Sequence, residues 1–172
     1  MISAAPRSTP YFKLNLESGN YGTVNARAVA SGPIAEGLNG RISAVARRRD
    51  GYARSVLTGQ ELEDMDSVGV RGSLATSSIE NLKVTLSGDY YKRTGGALNK
   101  FAVSKVSTVY TKANGPSRRA NFIPDGRQDN ETWGTSLRAV WTVGPGSVTS
   151  ISAIRGSRSN IDVALAGVRV DR

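Results

Sequence analysis

The side chains best suited to chemistry lie in two acidic groups at the ends of long polar stretches. Glu61, Glu63, Asp64 and Asp66 form the first group, and the second runs from Asp125 to Glu131. Clustered carboxylates can hold Ca²⁺, but neither group has the glycine and the ligand spacing of an EF-hand loop. We therefore interpret both groups as solvated loop residues and predict no metal site.

Two residue types that are central to catalysis are missing from the chain of 172 residues, because it contains neither histidine nor cysteine. Histidine is the commonest general base and the commonest metal ligand, and cysteine supplies thiolates and disulfides. The sequence also has no Gly-x-Ser-x-Gly elbow and no P-loop. The residues therefore predict that the protein is not an enzyme and uses no cofactor.

Cationic residues exceed acidic ones, with 23 Lys and Arg against 14 Asp and Glu, for a net charge of +9. Such a surplus fits a nucleic-acid-binding protein. Here, however, much of the charge falls on alternate positions of predicted strands, where it would line one face of a sheet and attract anionic solutes. We therefore predict no nucleic-acid partner. These residues are Arg27, Arg41, Arg71, Lys83 and Arg138 on strands, and Arg47, Arg48, Arg49, Arg54, Lys92, Arg93, Arg118 and Arg119 at loop entrances.

Apolar residues recur at every second position over most of the chain. In the segment that starts at Leu82, Leu82, Val84 and Leu86 alternate with Lys83, Thr85 and Ser87. This period is typical of a strand with one apolar and one polar face. Comparable segments start at Phe12, Val24, Leu38, Val68, Trp133 and Val148, and the facing of the last is ambiguous because Ile151 and Ala153 compete with Val148 and Ile154. The sequence predicts about seven strands.

After a first short connection at Gly19–Gly22, which belongs to the long-loop end and departs from the pattern, short and long connections alternate between these strands. The short ones are Gly32–Gly37, which we interpret as a tight Gly-Pro turn, Thr76–Asn81 and Val143–Ser147, and the long ones are Asp50–Met65 and Thr94–Asn130. Transmembrane barrels have this asymmetry, and their strands need about 9–11 residues to cross the bilayer. Tyr90 and Trp133 fall near the long-loop end and Trp141 near the short-turn end, where aromatic girdles would lie. The sequence therefore predicts an all-β fold: an antiparallel up-and-down meander of about seven strands, part of a transmembrane β-barrel.

Several turn and strand motifs occur in a characteristic order. They are Gly19-Asn20-Tyr21-Gly22, Ser31-Gly32-Pro33-Ile34, Arg48-Arg49-Asp50-Gly51-Tyr52, Asp66 through Arg71 to Leu74, and Trp141-Thr142-Val143 followed by Val148 to Ser152. In order and spacing this series resembles the amino-terminal barrel strands of TonB-dependent outer-membrane receptors, over about Ile2 to Arg158. Barrels of that family have 22 strands around a plugged lumen. The resemblance therefore indicates a fragment of such a receptor.

The resemblance implies a division of the chain and a set of partners. Residues 1–10 would end a plug domain, and residues 11–172 would form a partial β-barrel domain. The parent receptor would lie in the bacterial outer membrane, contact its lipid, draw energy from a TonB protein, and take up a ferric siderophore or another scarce nutrient. Substrate contacts are expected on the two long loops, at Tyr52, Arg54, Tyr110, Lys112, Arg118 and Arg119.

Two other interpretations stay open. If Ile161, Val163 and Leu165 form an eighth strand, the chain could close into a small outer-membrane barrel with a structural or adhesive role. A soluble β-sandwich that binds carbohydrate or protein would also carry alternating strands. Extraction separates the sandwich from the membrane proteins, because a sandwich stays in solution without detergent.

Overall fold

Seven long strands form one antiparallel sheet in the computed structural model, which describes residues 4–55, 59, 61–76, 80–96, 119–120 and 126–162. Each long strand pairs with the next long strand along the chain, so the sheet is an up-and-down meander, and the prediction of seven antiparallel strands is confirmed. The sheet is not closed, and its edges are the first and last strands. The seven strands are β1 (Tyr11–Gly19), β2 (Thr23–Ala35), β3 (Leu38–Arg49), β6 (Met65–Thr76), β7 (Leu82–Gly96), β9 (Arg127–Val143) and β10 (Gly146–Ile161).

Three short strands lie in the two long connections. They are β4 (Ala53–Ser55), β5 (Glu61–Leu62) and β8 (Arg119–Ala120). Strand β4 pairs antiparallel with β5 and parallel with β8, so the connection after β3 meets the connection after β7. We call this end of the large sheet the loop end, and the opposite end the turn end.

The short turns obtain their reversal from residues with positive φ. Gly37 (φ 67°) lies between β2 and β3, and Gly144 (φ 54°) between β9 and β10, where the absence of a Cβ makes this conformation easy to adopt. The predicted Gly-Pro turn was wrong in position, because Gly32 and Pro33 belong to β2 and the chain reverses at Glu36 and Gly37. Pro33 is tolerated there because it lies past the last β1–β2 pair, Tyr11 with Ser31, and next to a bulge.

The register places the large apolar side chains on one side of the sheet, the apolar face. For example, Phe12, Ile42 and Ile154 fall in one row across the strands. We call the opposite side of the sheet the polar face. The same register decides the facing of β10, which the sequence left ambiguous: Val148 and Ile154 lie on the apolar face and Ile151 on the polar face. The apolar face carries Phe12, Leu14, Leu16, Ile42, Val68, Val70, Leu74, Leu86, Trp133, Leu137, Trp141, Val148 and Ile154, all of them exposed.

The described residues supply almost no core for these side chains. Within the described ranges the buried hydrophobic residues are Ala53, Leu62 and Ala75, and the cluster of Ala53 with Leu62 lies in the small sheet. No helix among the described residues is long and apolar enough to cross a membrane. Within the described part of the chain the large sheet is therefore a single layer, although a sheet with an apolar face normally packs that face against another layer.

Candidate functional site

The polar face of the large sheet is strongly cationic. Among the described residues of its strands, only Glu17 and Asp89 are acidic on this face. Charges on the apolar face are confined to the rows nearest the loop end and include both signs, as at Lys92 and its partner Glu131. The cations of the polar face are Lys13, Arg27, Arg41, Arg47, Arg49, Arg71, Lys83, Arg93, Arg138 and Arg155.

Asp89 joins two of these cations near the middle of the polar face. Its Oδ1 lies 2.9 Å from Nη1 of Arg71, and its Oδ2 lies 2.5 Å from Nη2 of Arg155. Gly134 of β9 separates Asp89 from Arg155 in the same row, and a Cβ at Gly134 would lie 2.7 Å from Nε of Arg155. The glycine therefore leaves the space through which the arginine reaches its carboxylate.

Tyr52, the first predicted substrate residue, lies at the loop end in a contact with Arg49 and Tyr21. Its ring meets that of Tyr21 edge to face, with centroids 4.8 Å apart, and the Arg49 guanidinium stacks 3.8 Å from its centroid. Arg49 Nη2 also donates to the carbonyl of Glu63 over 2.6 Å. Arg49 thus connects β3 to the returning end of its own long connection, and Tyr52 keeps 39% of its surface exposed.

Two of the other predicted substrate residues lie in the small sheet. Arg54 of β4 and Arg119 of β8 are register partners, so the backbone brings two different long connections together at these positions. Tyr110, Lys112 and Arg118 lie outside the described residues.

Two acidic side chains of the loop end, those of Asp64 and Glu61, accept hydrogen bonds from backbone amides. Asp64 Oδ1 accepts from the Gly96 amide over 2.7 Å, and Glu61 Oε2 accepts from the Gly51 amide over 3.3 Å. In the part of the chain that the structure describes, no three acidic, histidine or cysteine side chains come together as a metal site would require. These contacts give Asp64 and Glu61 a structural role in fixing the long connection.

Sequence reasoning missed Ser67, which lies on the polar face between two arginines. The residue is 3% exposed, and its hydroxyl has no hydrogen-bond partner in the described structure. The alternation that placed Arg71 on this face applies equally to Ser67, but burial depends on neighbouring strands and is not visible in a local pattern.

Comparisons with family models, curated proteins and solved structures find no match for this chain. The resemblance to TonB-dependent receptors therefore stays a prediction.

Proposed function

We propose that this chain forms part of the wall of a β-barrel in a bacterial outer membrane, within a TonB-dependent receptor that takes up a ferric siderophore or another scarce nutrient. In this proposal the apolar face contacts lipid and the polar face lines the lumen. The supporting observation is the uncovered apolar face, which extends across all seven long strands.

The size of the apolar face favours a partner outside the described sheet. Seven strands about 4.8 Å apart, with apolar lengths from about 14 Å on β1 (Phe12 to Leu16) to about 27 Å on β9 (Trp133 to Trp141), give a face of roughly 500–900 Å². The largest apolar patch on a typical soluble monomer is about 300–600 Å². Lipid would cover such a face without any further layer of protein.

The spacing of the two tryptophans agrees with a membrane band. Trp133 and Trp141 lie on the apolar face of β9, eight positions apart in the pairing with β7, which is about 27 Å along an antiparallel strand. At a tilt of about 40° this corresponds to roughly 21 Å along the membrane normal, near the band of about 25 Å between the aromatic girdles of outer-membrane barrels. The charged pair Lys92 and Glu131 begins one row beyond Trp133, toward the loop end.

The sheet topology limits the two other candidates, the small closed barrel and the β-sandwich. Because β1 and β10 are the first and seventh strands of an antiparallel meander, they run in the same direction and cannot pair antiparallel with each other. A small closed barrel would therefore need a further strand. A sandwich would need a second large sheet, whereas the described residues form one meander and one sheet of three short strands.

The receptor proposal assigns three partners, namely outer-membrane lipid, an energy-transducing TonB protein and the nutrient. The test is to delete the coding sequence in the native bacterium and measure uptake of a radiolabelled ferric siderophore under iron limitation, with cell fractionation of the wild type in parallel. The proposal expects the protein in the outer-membrane fraction and a loss of uptake that the restored gene reverses. Recovery of the protein in the soluble fraction would contradict the barrel, and unchanged uptake of every siderophore tried would contradict that substrate class.

A further inference from the structure

We infer that Arg47, Ser67 and Arg93 form a binding site for a tetrahedral oxyanion such as phosphate. The three residues belong to adjacent strands β3, β6 and β7 and occupy one row, because Ser67 pairs with Arg47 on one side and with Arg93 on the other. All three side chains are on the polar face, near the loop end.

The side-chain donors of Arg47, Ser67 and Arg93 are not used by the described part of the protein. Ser67 is 3% exposed and its hydroxyl has no hydrogen-bond partner in the described structure. A buried polar atom without a partner is uncommon, since leaving one unpaired costs stability. Arg47 and Arg93 are both exposed, and neither forms an ion pair or a side-chain hydrogen bond with any residue that the structure describes.

The spacing suits one anion held by two guanidinium groups. Strand neighbours lie about 4.8 Å apart, so the Cα atoms of Arg47 and Arg93 are separated by roughly 10 Å with Ser67 between them. Arginine presents several N–H groups in a planar fork that matches the oxygens of phosphate. Two arginine side chains of ordinary reach can therefore converge above Ser67, whose hydroxyl supplies a third donor.

The surroundings favour an anion. Glu17 is the one acidic side chain in the row, and its Oε2 accepts from Asn25 Nδ2 over 3.2 Å. The wider polar face has ten cationic side chains, so its field concentrates anions before they reach the row. The site faces away from the apolar face, so a lipid headgroup lying against that face does not reach it. This inference depends on the row itself and holds whether or not the sheet is part of a receptor.

The experiment measures binding of inorganic phosphate to the full chain, folded in maltoside micelles that contain no phosphate, by isothermal titration at low salt. The double variant Arg47→Gln/Arg93→Gln should bind at least about tenfold more weakly, because each charge-assisted hydrogen bond is strong. Arg27→Gln/Arg138→Gln is the matched control, since it removes the same charge from other rows of the same face and should weaken binding less than about threefold. Equal losses in the two double variants, or no binding of phosphate to the wild type, would overturn the site.

Two further variants separate binding from folding. Arg47→Lys/Arg93→Lys keeps the charge but removes the planar forks, so we expect phosphate affinity to fall severalfold while the strand signal in circular dichroism stays unchanged. Ser67→Ala removes the unpaired hydroxyl, so it should leave the unliganded chain as stable as the wild type or more so, and yet weaken phosphate binding. A Ser67→Ala chain that binds phosphate as the wild type does would exclude the hydroxyl from the site.

Discussion

Leu137→Arg tests which surface covers the apolar face. Leu137 lies midway between Trp133 and Trp141 on β9, about 14 Å from each along the strand, and 46% of its surface is exposed. An arginine near the midplane of a bilayer costs a membrane barrel about 2–4 kcal/mol. Since about 1.4 kcal/mol is a factor of ten in an equilibrium constant, the ratio of folded to unfolded chain in lipid vesicles should fall by about 30-fold to 700-fold.

The matched control is Ser136→Arg, one residue earlier on the same strand and on the polar face. Ser136→Arg adds the same side chain to the polar face, which contacts no lipid in this account. Its effect on the free energy of unfolding, measured with guanidinium in the same vesicles, should therefore be near zero. Leu16→Arg adds a depth control, because Leu16 lies opposite uncharged Ala26 in the row of Lys92 near the loop end, and the substitution should cost only about 0–1 kcal/mol. Equal costs at positions 136 and 137 would refute the facing, and equal costs at positions 16 and 137 would refute a lipid environment.

Three substitutions test contacts that hold neighbouring strands together. Asp89→Asn leaves Arg71 and Arg155 without their shared carboxylate and should lower the free energy of unfolding by about 1–2 kcal/mol. The loss should be smaller at high salt, because all three side chains are partly exposed. Chemical denaturation at two salt concentrations checks both effects, and a stability equal to that of the wild type would contradict the bridge. Gly134→Val should place side-chain atoms where Arg155 passes, and it should lower the free energy of unfolding as much as Asp89→Asn does. Because both changes break the same contact, the loss in the double variant should be smaller than the sum of the two single losses. Gly156→Val should displace the Trp133 indole, which would lie 2.5 Å from a Cβ at position 156, and so shift tryptophan emission, whereas an unchanged spectrum would contradict the packing.

The strands could be predicted from the sequence because their signal is local. Residues two apart share a face, so the segment from Leu82 shows its strand without reference to any partner. The position of the first short turn could not be read in the same way. Gly32-Pro33 has the composition of a turn, but β2 continues through it because a bulge accommodates the irregularity, and the chain reverses at Gly37. Turn composition alone does not say which of several small residues takes the positive φ.

The candidate sites were less predictable because they depend on cross-strand register. Asp89 and Arg155 are separated by 66 positions and meet only because Gly134 lies between them in the sheet. Ser67 appears in the sequence as one of many strand serines, and its position between Arg47 and Arg93 follows from pairings with two other strands. The alternation of cationic residues along the strands did predict that the polar face is positively charged, because the face on which a side chain lies is fixed by local spacing.

Tryptophan quenching in vesicles of brominated lipid tests the central claim most directly. The chain has two tryptophans, Trp133 and Trp141, both exposed on the apolar face, so no label is needed, and Trp133→Phe and Trp141→Phe isolate each signal. If lipid covers the apolar face, bromine on the acyl chains should quench both residues, with shallow bromine positions more effective than deep ones, and aqueous iodide should quench weakly. Strong quenching by iodide with none by brominated lipid would contradict the account.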